Sequence, residues 1–206
     1  MVKRCLGISN YHNFYSEIDL NKPVREIVFT VFDTETTGLN PKKDHLVSIG
    51  AIKIKNLEIH AKDCFHKLIK SVVKITPQSV EIHGVRPADI KMYGENEEIV
   101  LESFLNYIRG TMLIGFYVDF DFRMVSKYTK RIFGCPLLNY RVDVLDMYIK
   151  DSGIIKNMDE IASEFDLPVY GRHSAIDDAY ITALIFLKLL SQRNYRRGKD
   201  LPIKII

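Results

Sequence analysis

No apolar run in this chain approaches the ~18–20 residues that a transmembrane helix needs. Its first residues, Met1-Val2-Lys3-Arg4-Cys5-Leu6, lack the apolar stretch of a secretory signal. Cysteine is scarce. Cys5, Cys64 and Cys135 are an odd, widely spaced set with no zinc-ligand pattern and no disulfide framework. They read as reduced thiols of an intracellular, cytoplasmic protein, with Cys64 and Cys135 as small core residues. Low-complexity tracts, internal repeats and a second domain are also missing, which excludes wholesale disorder and repeat architectures. Excess charge is lacking too. The 29 Lys and Arg stand against 26 Asp and Glu, a net charge of only +3, so a large basic face is not expected. What remains is 206 residues, 47% of them hydrophobic, enough for one compact domain with a real core.

The pattern along the chain alternates. Apolar runs at 27–33, 46–54, 58–68 and 111–117, and a short one at 142–145, read as five strands. Lys55-Asn56 supports a tight hairpin between the second and third. Helical patterns cover 95–108, 122–133, 146–150, 158–164 and 175–190, and Pro77 and Pro87 bracket short helical turns. Three hairpin-linked strands followed by strand–helix alternation give an α/β fold, a mixed five-stranded sheet flanked by helices. The first 26 residues carry Tyr11, Phe14, Tyr15, Ile18 and Leu20, too aromatic for a plain linker, and read as an extension packed on the domain. Arg193, Arg196, Arg197 and Lys199 follow the last helix. Basic residues there complement the helix dipole; the other reading is a tail that contacts phosphates or a partner.

The chemistry begins at Val31-Phe32-Asp33-Thr34-Glu35-Thr36-Thr37-Gly38-Leu39. Alternate strand residues share a face, so Asp33 and Glu35 lie side by side. Two such carboxylates repel unless a cation lies between them, and oxygen-only ligands suit Mg²⁺ or Mn²⁺ rather than zinc. Taken alone, this is a strand running into a polar turn. Two further segments change that. In Leu113-Ile114-Gly115-Phe116-Tyr117-Val118-Asp119-Phe120-Asp121-Phe122 an apolar strand runs into acidic residues. In Gly171-Arg172-His173-Ser174-Ala175-Ile176-Asp177-Asp178-Ala179 a helix begins, with Ser174 as N-cap, Asp177 placed for a capping box and Asp178 in the first turn.

In this order the three segments resemble the DEDDh 3′–5′ exonucleases, most nearly the proofreading epsilon subunit of bacterial DNA polymerase III and its stand-alone relatives. The resemblance runs from about residue 27 to about residue 190. Thr76-Pro77, Ile82-His83-Gly84-Val85 and the stretch from Met158 to Leu167 also match. It implies a ribonuclease H-like sheet and an exonuclease domain over 27–192, between an N-terminal extension (1–26) and a basic C-terminal tail (193–206). It implies that Asp33, Glu35, Asp121 and Asp178 bind two Mg²⁺ or Mn²⁺ ions and that His173 is the general base. It places Thr36, Leu39 and His83 at the terminal nucleotide. Two ions ~3.5–4 Å apart clamp the attacking and leaving oxygens of a phosphodiester, and a neutral histidine takes the proton of the attacking water.

One departure concerns substrate contact. Many members carry His-Asn where this chain has Phe116-Tyr117. Counting back by twos from Asp121 along a regular strand puts Asp119 and Tyr117 on its face and Phe116 in the core. Asp119 is a competing carboxylate, ranked below Asp121. The implied activity is release of nucleoside 5′-monophosphates from single-stranded or frayed DNA 3′ ends, in proofreading or repair. The other readings are an RNA-trimming enzyme of the ribonuclease T type and a catalytically silent nucleic-acid-binding module. The resemblance also implies a DNA polymerase subunit as partner, whereas the short stretch after Leu190 reads as a stand-alone or simplified enzyme.

Overall fold

A computed structural model describes residues 14–70, 77–169, 171 and 173–205. The strands are β1 (Phe29–Thr36), β2 (Leu46–Lys55), β3 (Glu58–Leu68), β4 (Met112–Gly115), β5 (Arg141–Asp143) and β6 (Ile203–Lys204). The helices are α1 (Pro77–His83), α2 (Pro87–Tyr93), α3 (Glu97–Tyr107), α4 (Val118–Phe133), α5 (Val144–Ser152), α6 (Met158–Glu164) and α7 (Ala175–Ser191). The sheet order is β3-β2-β1-β4-β5-β6, so six strands replace the expected five. β1 pairs antiparallel with β2 and parallel with β4, and β6 closes the far edge antiparallel to β5. The sixth strand has only two residues, too short for any periodic signal.

The hairpin between β2 and β3 turns through Asn56 (φ 53°) and Leu57 (φ 62°), the double left-handed turn that matches strand twist. Alternation along β1 sorts its side chains to two cores. Phe29 and Val31 enter the core under α5, α6 and α7, where Ile181, Ile185, Phe186 and Leu189 form the apolar stripe of α7. Phe32 enters the opposite core with Val100, Leu101 and Phe104 of α3 and Val125 of α4. Phe14 and Tyr15 pack on that second core, and Ile18 and Leu20 on the first; Tyr11 lies outside the described residues. Backbone bonds from Val24 N–H to Arg196 O (3.0 Å) and from Lys199 N–H to Leu20 O (2.9 Å) stitch the two ends of the chain together. The basic segment is ordered by contacts of its own, such as the Arg193 guanidinium on Met147 O at 2.5 Å.

Two expectations fail. Cys64 is an exposed free thiol rather than a core residue. Cys135 is buried as expected. The fourth strand also stops early. It ends at Gly115 rather than Tyr117, and α4 starts at Val118 rather than Phe122.

Candidate active site

The face rule that sends Phe29 and Val31 under α7 continues along β1 to Asp33 and Glu35. Both therefore emerge beside the start of α7, which carries Asp178 in its first turn, where the helix dipole favours a carboxylate. Gly50 makes the approach possible. It pairs with Asp33 across β1 and β2. A Cβ at position 50 would lie 2.2 Å from the Ala175 carbonyl carbon and 2.2 Å from the Ile176 nitrogen. With no side chain there, the helix start sits directly on the sheet, and carboxylate oxygens of Asp33, Glu35 and Asp178 come within 4.8 Å of one another. Nothing in the local sequence around Gly50 announces this role.

Asp121 is held differently. Thr34 lies on the opposite face of β1, toward α4. Its N–H (3.0 Å) and hydroxyl (2.5 Å) both donate to Oδ1 of Asp121 in the first turn of α4. Asp121 lines the same cavity, of about 780 Å³, but stands outside the cluster of three. Burial pushes its carboxyl up to about 7, against the pull of the Thr34 bonds, and the Asp143 carboxylate adds to the rise. Asp119 is not a competitor. On a helix it stands two positions from Asp121 and so points elsewhere. Its carboxylate binds Arg141 Nε at 2.7 Å and Lys204 Nζ at 3.1 Å, contacts that lower its pKa although burial would raise it.

His173 is exposed, lines the cavity and adopts φ 69°; its N–H donates to Asp178 Oδ1 at 3.3 Å. Ser174 is the N-cap, but its hydroxyl makes no capping bond, and the expected capping box with Asp177 does not form. Leu39 is 88% exposed at the cavity mouth. Thr36 lines the wall, its hydroxyl donating to Gly38 O at 2.7 Å. Thr76 lies outside the described residues, whereas His83 is buried and lines the same cavity. Val85 N–H donates to His83 Nδ1 at 3.1 Å, so the ring proton belongs on Nε2. Burial lowers the His83 pKa and keeps the ring neutral. Its Nε2 is buried without a hydrogen-bond partner among the described residues, a donor held ready at the cavity wall.

The strand alternation predicted for Phe116 and Tyr117 does not hold, because the strand has already ended. Tyr117 sits in the left-handed region (φ 55°, ψ 40°) as N-cap of α4, and both rings line the cavity in an edge-on pair 5.4 Å apart. Tyr117 is 56% exposed, and Phe116 is half-buried, packed against the edge of the first core as well as lining the cavity. Asp143, which the sequence did not single out, fixes this turn. Its carboxylate accepts the N–H groups of Tyr117, Val118 and Leu145, each at 3.1 Å.

Helices on both faces of a mixed sheet, with carboxylates gathered at one end of its central strand, define the nuclease class. The chain belongs to the RNase_T exonuclease family, whose model matches residues 30–186. It is 30% identical to the PolC-type DNA polymerase III of Thermotoga maritima over 80% of this chain and 12% of that protein. It is 28% identical to the DNA polymerase III subunit epsilon of Aquifex aeolicus over 82% of this chain and 84% of that protein. The chain thus spans only 12–13% of the length of the PolC-type relatives. The fold is that of E. coli exonuclease I in complex with a dA16 oligonucleotide, with a TM-score of 0.69 and 22% identity over 82% of this chain and 41% of that one. Among the described residues no helix is long and apolar enough to cross a membrane.

Proposed function

We propose that this protein is a divalent-metal-dependent 3′–5′ exonuclease that removes nucleoside 5′-monophosphates from single-stranded or frayed DNA ends. The observation that carries this is the convergence of Asp33, Glu35 and Asp178 within 4.8 Å in a cavity shared with Asp121 and His173. An all-oxygen donor set of this kind fits Mg²⁺ or Mn²⁺. Asp33, Glu35, Asp178 and Asp121 would hold two ions, which when bound supply charge stabilisation for the attacking and leaving oxygens. His173 accepts, at a ring nitrogen, the proton of the water that attacks phosphorus. The bond to the 3′ oxygen breaks, leaving a strand one nucleotide shorter with a 3′-hydroxyl. Leu39 offers an aliphatic surface to the terminal base, Tyr117 an aromatic one, and His83 Nε2–H a hydrogen bond to the terminal nucleotide; Thr36 lines the same pocket. The relative named subunit epsilon supports proofreading, and a polymerase subunit as partner.

The test is digestion of end-labelled DNA and RNA oligonucleotides with and without Mn²⁺, on wild type and Asp33→Asn. Stepwise shortening of DNA from the 3′ end, and a loss above 10³-fold in the variant, about 4 kcal/mol of transition-state stabilisation, are expected. Preference for RNA would make the enzyme a trimming ribonuclease. No cleavage of either nucleic acid would make it a binding module.

A further inference from the structure

A second cavity, of about 520 Å³, lies beside the catalytic one. The two share a loop: residues 36–39 line the first, and residues 42, 43, 45 and 46 line the second. The loop is internally braced. Thr37 N–H donates to His45 O at 2.9 Å, His45 N–H donates to the Thr37 hydroxyl at 3.0 Å, and Asn40 N–H donates to Asp44 Oδ2 at 2.7 Å. The lysines at 42 and 43 are therefore held at a set place relative to Leu39.

The charge lining this cleft is mostly positive. Lys42, Lys43, Lys70, Lys127 and Arg131 face a single carboxylate, Glu97. Five cations against one anion leave +4, more than the +3 of the whole chain. Scattered surface lysines are an ordinary solvated face. Here three separate segments, the 42–43 loop, the stretch just after β3 and helix α4, deliver them to one concave wall that adjoins the catalytic cavity. Lys42, Lys43 and Lys70 are exposed and make no ion pair among the described residues. Lys127 Nζ is tied to Asp44 O at 2.6 Å and lies 5.3 Å from the centre of the Tyr128 ring. The Arg131 guanidinium lies 4.9 Å from the same ring and is paired with Glu97 at 2.7 Å. Burial, then the neighbouring Arg131, lowers the Lys127 pKa, against the pull of the Asp44 carboxylate.

We propose that this cleft carries the phosphodiester backbone of the substrate strand, on the 5′ side of the nucleotide held in the catalytic cavity. Flexible ammonium groups bind phosphates as point charges without reading bases, which suits an enzyme that must accept any sequence. The proposal rests on the exonuclease reading and extends it to a strand of several nucleotides.

The experiment uses Lys42→Ala/Lys43→Ala/Lys70→Ala and two substrates. The p-nitrophenyl ester of thymidine 5′-monophosphate reaches only the catalytic cavity, whereas a fluorescent dT12 reaches both. The ratio of kcat/KM for dT12 to that for the ester should fall about 10-fold or more at low salt. Anisotropy of dT12 in EDTA should show the slope of log Kd against log salt becoming shallower by about 2, because each lost phosphate contact removes about 0.7. An unchanged ratio and slope, with both substrates hydrolysed, would overturn the cleft and leave the nuclease standing. A wild type that hydrolyses neither would remove the nuclease reading, and the anisotropy slope would still decide the cleft.

Discussion

Asp121 offers a test of the site that needs no turnover. Its carboxyl is 4% exposed, and both Thr34 donors reach the same oxygen, Oδ1. Those bonds favour the charged form, yet burial outweighs them and the group titrates at about 7, against an ordinary 3.8. A folded pKa above the unfolded one means that between pH ~4 and ~7 the folded protein holds a proton the unfolded chain has lost. The stabilisation is fully present below pH ~4 and disappears as pH rises through 7. Three pH units at about 1.4 kcal/mol each set an upper bound of roughly 4 kcal/mol. Asp121→Asn keeps an acceptor for Thr34 and cannot ionise. Urea unfolding in EDTA from pH 4.5 to 8 should therefore show the variant gaining on wild type as pH rises, until it is the more stable protein at pH 8. The difference between the two profiles removes the carboxylates that do not touch Asp121 and reports Asp121 together with its interaction with Asp143, whose pKa burial also raises. Parallel profiles would refute the reasoning, because they would mean that Asp121 is already ionised in the metal-free protein.

Variants at three further positions probe how the cavity is built. Gly50→Ala forces a methyl against the backbone at 175 and 176; at least 1–3 kcal/mol of stability and most of the nuclease activity should be lost, read by melting and digestion. His83→Phe keeps the bulk and removes the buried donor, so KM should rise about 3–10-fold while kcat changes little; an unchanged KM would mean that Nε2 does not meet the substrate. Tyr117→Ala should raise KM with little change in melting temperature because the ring is largely exposed, and Tyr117→Gly should be about 1 kcal/mol more stable than the alanine variant because position 117 is left-handed. Equal melting temperatures for the two would show that the turn has relaxed.

Much of the site could be read from sequence because its determinants are local. The apolar run into Asp33-Thr34-Glu35 fixes a strand, and period two then puts both carboxylates on one face. The acidic first turn of a long apolar-striped helix offers Asp177 and Asp178, and the family resemblance singles out Asp178. Leu39 in a Thr-Thr-Gly turn had nowhere to be buried, and it stands in solvent at the cavity mouth.

What escaped the sequence depends on partners distant along the chain. Met112-Leu113-Ile114-Gly115-Phe116-Tyr117-Val118 looks like one continuous strand. The backbone turns at Tyr117 because Asp143, 25 and 26 residues away, captures the N–H groups of Val118 and Tyr117. That burial is costly for a carboxylate, and Lys204 compensates from the two-residue edge strand β6, with Nζ 3.4 Å from Asp143, 3.1 Å from Asp119 and 2.8 Å from Asp146. The helix so started carries Asp121 to Thr34, and the left-handed Tyr117 presents its ring to the cavity. A lysine close to the end of the chain thus helps to hold the turn that shapes the substrate wall. The strand alternation assigned Tyr117 to the site by a rule that does not apply there. The side chain arrives by a capped turn instead, and this is why Phe116 can line the cavity beside it.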